Sequence, residues 1–145
     1  MATLARPLSQ SKPYASIAAP VVLFGRFLFA LIFVIAGANN FSSQTVTFAA
    51  SQGVPLASIA VPVSGVIAIL GGLSILLGYH AKLGGWLITL FLVGVTPMHK
   101  FWGIADPMTH QIQMIMFMKN LSMLGGALLI SQFGAGPLSL DARGK

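Results

Sequence analysis

Two cations stand where an oily chain has little use for them. Lys119 lies near the middle of QIQMIMFMKNLSMLGGALLI, residues 111–130, directly followed by Asn120, and Arg26 interrupts GRFLFALIFVIAG. A buried ammonium or guanidinium can hold an anionic or carbonyl-bearing ligand, a quinone or lipid headgroup, or a carboxylate on a partner subunit. It can also be structural. Arg26 then anchors the chain by snorkelling to its own interface, and Lys119 is satisfied by Asn120, by carbonyls, by water or by staying neutral. A third group is MHKFWGIADPMTH, residues 98–110, with His99, Trp102 and His110. Two facing histidines can ligate haem or a metal. Haem between membrane helices asks for deeper histidines than these, so no haem or metal site is predicted.

The remaining inventory is poor in chemistry. Phe101 and Trp102 read as an aromatic belt. Met98, Met108, Met114, Met116, Met118 and Met123 could offer thioethers to Cu(I). Met114, Met116 and Met118 point different ways around a helix, however, and read as pliable packing. There is no cysteine, which excludes thiol–disulfide exchange and cysteine-ligated clusters. Residues 18–38, 56–79, 83–102 and 112–133 hold no Asp or Glu, and no Ser–His–Asp set, HExxH or phosphate-cradling loop occurs. The sequence predicts no catalytic residue and no resident cofactor; quinone or bound lipid is what the cations would take.

The elements that position these residues follow from composition. The 145 residues are 56% hydrophobic and only 7% charged, with mean hydropathy +0.88. A water-soluble domain carries about 25% charged residues, so this chain needs lipid around it. The net charge of +6 is dispersed singly, without the clusters that track phosphates, which excludes nucleic acid as a partner. The four apolar stretches, 18–38, 56–79, 83–102 and 112–133, have the length a helix needs for a ~30 Å hydrocarbon core. They are continuous rather than alternating, which favours helices over a barrel. The prediction is an all-α membrane protein, a four-transmembrane-helix bundle over 18–136 with tails at 1–17 and 137–145.

Orientation follows the loop bases. Arg6, Lys12, Lys82, Arg143 and Lys145 fall on one side and only Lys100 on the other, so both termini are expected in the cytoplasm. In the first loop Phe41, Thr45 and Phe48 share one helical face, the mark of a short helix lying on the outer surface or of an ordinary linker. Ala60, Ser64, Ala68 and Gly72 recur every four residues, and Ser122 and Gly126 do the same; such grooves admit a neighbouring backbone. A central lysine costs about 3 kcal/mol on insertion scales, so Lys119, sharing its side with Ile115, Ser122 and Gly126, is expected to face the bundle interior. Arg26 shares its side with Ala30, Phe33 and Gly37.

The runs GRFLFALIFVIAGANNF, LGGLSILLGYHAKLGGW, HKFWG, FMKNLSMLGGALLI and GAGPLSLDAR occur in an order that resembles the DoxX family of small four-helix bacterial membrane proteins. The likeness covers about residues 25–143. It implies a four-helix bundle in the inner membrane and an association with oxidoreductases, since the family is named from a subunit of a thiosulfate:quinone oxidoreductase. Matching positions are Arg26, His99, Phe101, Trp102, Lys119 and Asn120. Two departures stand out. Many relatives carry a lysine where this chain has Asn40 and a glutamate near Ala68; losing both together avoids an unpaired buried charge. The leading expectation is a non-catalytic accessory subunit packed against a membrane redox or respiratory complex. Its alternatives are an intramembrane binder or carrier of a quinone, lipid or anionic metabolite at Lys119 and Arg26, and a membrane subunit of a quinone-linked oxidoreductase.

Overall fold

The computed structural model describes residues 12–144. Helix α1 (Lys12–Asn39) is followed by a short α2 (Ser43–Ser51), then α3 (Ala57–Leu77), α4 (Ala81–Val95) with a 3-10 turn at Thr96–Met98, α5 (Pro107–Phe133) and a four-residue α6 (Leu140–Arg143). Four of these stretches, Ile17–Asn39, Ala57–Leu77, Ala81–Met98 and Pro107–Phe133, are long and apolar enough to cross a bilayer. No strand occurs among the described residues. This is the all-α, four-span membrane architecture expected from the sequence. The predicted tail at 1–17 overlaps the start of α1, and residues 1–11 lie outside the described residues.

Local chemistry sets the helix ends. Asp106 caps α5, its Oδ2 accepting from the Thr109 amide at 2.8 Å and the Thr109 hydroxyl at 2.6 Å, and Pro107 supplies the preset φ of a first helical residue. Gly78 closes α3 at φ +66, and the Tyr79 amide folds back to the Ser74 carbonyl at 3.0 Å, the left-handed stop that favours glycine. Ser42 caps α2. That helix turns Val46 and Ala49 onto the start of α3, where Ala57 and Val61 complete a small second core.

The Thr109 bonds favour the ionised Asp106 carboxylate and hold it below its ordinary range. A depressed native value means that the cap strengthens the first turn of α5 above the usual aspartate range and loses that contribution as pH falls through the lowered native value. In detergent micelles the Thr109 amide resonance should therefore stay fixed through the usual aspartate range and move only in stronger acid. Asp106→Asn should abolish that titration.

Packing between spans runs on close backbone approach. On α3 the line Val61, Gly65, Ala68, Gly72 and Ile75 is buried. A Cβ on Gly65 would meet the Gly37 carbonyl at 2.7 Å, and one on Gly72 the Ala30 carbonyl at 3.2 Å, so α1 lies directly on this line. Gly71 faces Ile88, and Gly84 faces Ser74 and the Gly71 carbonyl, which brings α4 against the other side of α3. Gly85 then meets the α5 backbone at Ala127 and Ser131, and Gly126 takes the Phe29 ring from α1. Phe33 and Phe91 meet edge to face, centroids 6.2 Å apart, in the main core with Ile75, Ile88 and Leu92.

The anticipated groove at Ala60, Ser64, Ala68 and Gly72 is partly displaced. Ala68 and Gly72 are buried, whereas Ala60 is exposed and Ser64 half-buried. The true line advances by alternating fours and threes, because a straight four-residue repeat drifts around a 3.6-residue helix. Of the pair on the fourth span, Gly126 packs and Ser122 is exposed.

Candidate functional site

Arg26 is not an interfacial anchor. Its side chain is only 6% exposed and lies under the end of the bundle, where the chain beyond α5 passes beneath. Nη1 donates to the carbonyls of Ala135 at 3.0 Å and Pro137 at 3.4 Å. Nη2 donates to those of Leu138 at 2.9 Å and Leu76 at 3.4 Å. A planar fork with several donors fits such a ring of carbonyls, which a lysine could not serve. The Nε hydrogen is buried without a partner. The bonds close a turn that includes Gly134 at φ +79 and Leu138 at φ +53, so the guanidinium holds a strained strap against the ends of α1 and α3.

Asp141, at the end of that strap, caps a different helix. Its Oδ1 accepts from the His80 amide at 2.8 Å and its Oδ2 from the Ala81 amide at 3.0 Å, while its own amide donates to the Gly78 carbonyl at 2.8 Å. The first amides of α4 thus receive their acceptor from a carboxylate sixty residues away, which also suits the positive end of the helix dipole. Segment 137–145, read from sequence as a tail, is docked over its described part, with Ser139 buried. Arg26 and Asp141 also interact electrostatically, which joins the two halves of this clasp.

Lys119 corrects the sequence expectation more sharply. It is exposed, and its neighbour Asn120 is the buried one, at 5%. The inward line of α5 is Gln113, Phe117, Asn120, Leu124, Ala127 and Ser131, alternating fours and threes. Lys119 stands one position off that line, about 100° around the helix. Its Nζ contacts only the Met116 sulfur, at 3.3 Å, among the described bonds. Twelve residues separate it from Pro107 and fourteen from Phe133, about 18 and 21 Å along the axis. A cation at mid-helix therefore faces away from its own bundle.

At the other end of the spans, His99 and His110 have separate partners. His99 Nδ1 lies within hydrogen-bond distance, 2.9 Å, of the Gln113 side-chain amide at Oε1. The ring also neighbours Phe48, at 6.5 Å. His110 stands edge-on to Phe101 at 5.7 Å, and Phe101 in turn contacts Trp102 and Phe117. Trp102 is 58% exposed. Among the described residues no three His, Cys, Asp or Glu side chains group as metal ligands would.

The DoxX family model matches residues 21–102 of this chain, more than half its length. The chain belongs to the DoxX family. It is 31% identical over 126 residues to "Inner membrane protein YphA" of Escherichia coli strain K12, covering 85% of this chain and 89% of that one. It is 30% identical over 122 residues to "Inner membrane protein YqjF" of the same organism, covering 83% and 88%. No solved structure matches significantly.

In this DoxX protein the arginine of the first span and the lysine of the last are separated in role. One is consumed by backbone carbonyls, the other is presented outward. Sequence reasoning missed Asp141 as a cap, Gln113 as the partner of His99, and the bond from Asn40 Nδ2 to Ser64 Oγ at 2.9 Å. A signal for the first existed: in a chain with only two acidic residues, each carboxylate is a scarce acceptor for the open amides at helix starts.

Proposed function

We infer that this DoxX protein is a non-catalytic accessory subunit of a membrane redox or respiratory complex in the bacterial inner membrane, with both termini cytoplasmic. The observation that carries the reading is the exposed Lys119 near the middle of α5. A mid-bilayer lysine against acyl chains costs about 3 kcal/mol or more, and its stem spans only part of the distance to either helix end. A carboxylate at the same depth on a neighbouring helix would remove that cost. A second copy of this chain offers none, because its only acids are Asp106 and Asp141, one outside the spans and the other seated on α4. The partner is therefore a different membrane protein, with an Asp or Glu inside a span. The redox assignment rests on the family's namesake, a subunit of a quinone-linked oxidoreductase.

Purification of the native protein in mild detergent should recover a stoichiometric partner with an acidic residue in a membrane helix. Lys119→Met should reduce that recovery at least tenfold, and Lys119→Arg should retain it. A wild-type protein that elutes alone or as a homo-oligomer, or a partner indifferent to Lys119→Met, would overturn the assignment.

A further inference from the structure

Near the outer ends of α3 and α4, as the loop charges orient them, lies a cavity of about 210 Å³, to which α2 contributes Thr45. Its walls are apolar except for Asn40, Thr45 and Ser64, and no charged residue lines it. Of the residues that line it on α3 and α4, Ala60, Leu90 and Gly94 are exposed, the first and last of them small. Most exposed positions on these two helices away from the cavity carry large side chains, among them Ile59, Val63, Val66 and Val93. A Cβ on Gly94 would meet nothing within 4 Å, so helix packing does not require glycine there. What the two small residues provide is an opening toward the lipid.

Inside, Asn40 is held in place. Its Cβ rests against Gly65, and its Nδ2 donates to Ser64 Oγ, which itself donates to the Val61 carbonyl at 2.7 Å. An amide nitrogen carries two hydrogens, so one remains to offer beside the cavity. A single fixed donor in an apolar chamber selects for an acceptor on an otherwise apolar molecule. A cavity of about 150 Å³ takes a benzene ring, so this one takes a ring with substituents.

The geometry points to a lateral binding site for a lipid-soluble, single-ring molecule bearing a carbonyl oxygen, which enters between Ala60 and Gly94 and accepts a hydrogen bond from Asn40. The site is independent of Lys119 and of any partner subunit. An uncharged chamber refuses anionic metabolites, and an acyl chain would fill the walls without using the amide.

The test uses the purified full-length protein in detergent, with 4-fluoroacetophenone as probe, its fluorine observed by NMR against empty micelles. Saturable binding should appear. It should weaken at least tenfold in Gly94→Leu and in Ala60→Leu, whose side chains close the mouth from opposite helices. Asn40→Leu should weaken it roughly threefold to tenfold, the share of one hydrogen bond. 1-Ethyl-4-fluorobenzene, which lacks the oxygen, should bind the wild type correspondingly less well. Unchanged thermal unfolding of Gly94→Leu would show that the loss is local. Absence of saturable binding, equal binding by Gly94→Leu, or equal affinity for the two probes would overturn the site; the last would mean an acyl-chain slot without recognition.

Discussion

Arg26→Met should lower the unfolding free energy of the purified protein by about 3–5 kcal/mol, as removal of one partner from a buried charged network does. The four carbonyls at Leu76, Ala135, Pro137 and Leu138 would lose their donors together, and the buried one, at Ala135, is the costliest to leave unsatisfied. Damage should spread beyond the arginine. Once the strap from Ala135 to Leu138 loosens, Asp141 loses its seat on the first amides of α4. Limited proteolysis should then cut near Gly134–Pro137, and amides at His80 and Ala81 should exchange faster. Arg26→Lys separates this clasp from a snorkelling anchor. An anchor needs only charge and stem, and lysine would replace it at little cost. A fork serving four carbonyls needs the guanidinium plane, so lysine should recover only a minor part of the loss.

That contrast shows what could be read from the sequence. The four spans were legible because length and apolarity alone determine whether a helix can cross lipid. The first loop read equally as a short helix or a linker, and α2 begins after Phe41 and packs through Val46 and Ala49 rather than through the face of Phe41, Thr45 and Phe48. Which way each helix turns was less legible. In water a buried face is the apolar one; in lipid every face is apolar, and burial is marked by small and polar residues instead. On α5 that mark was Gln113, Asn120, Ala127 and Ser131. Lys119, Ser122 and Gly126 form a competing line of similar appearance, and a single step between Lys119 and Asn120 reverses which residue is buried. The clasp was illegible for another reason. Arg26 meets its acceptors Leu76 and Ala135 across separations of 50 and 109 residues, and no local pattern encodes such a pairing.

The second large effect concerns the seam that fixes α5, and through it the direction of Lys119. A Cβ on Gly85 would lie 2.7 Å from the Ser131 nitrogen and 2.9 Å from both the Ala127 oxygen and the Ser131 Cα. All three are backbone atoms and none can rotate aside, so Gly85→Leu must push α5 away from α4. Overpacking of a well-fitted seam costs about 1–3 kcal/mol; with two backbones in contact the expectation is the upper end, about 3 kcal/mol. Gly85→Ala should give a smaller loss of the same sign. Gly125, on the same helix as Ser131, is open: a Cβ there would meet nothing within 4 Å. Alanine at that position should stabilise by about 0.5–1 kcal/mol through helix propensity. Opposite signs for two glycine-to-alanine changes, read by thermal unfolding in one detergent, would trace the seam to backbone contact. Equal signs would place α5 elsewhere, and Lys119 would no longer be committed to an outward face.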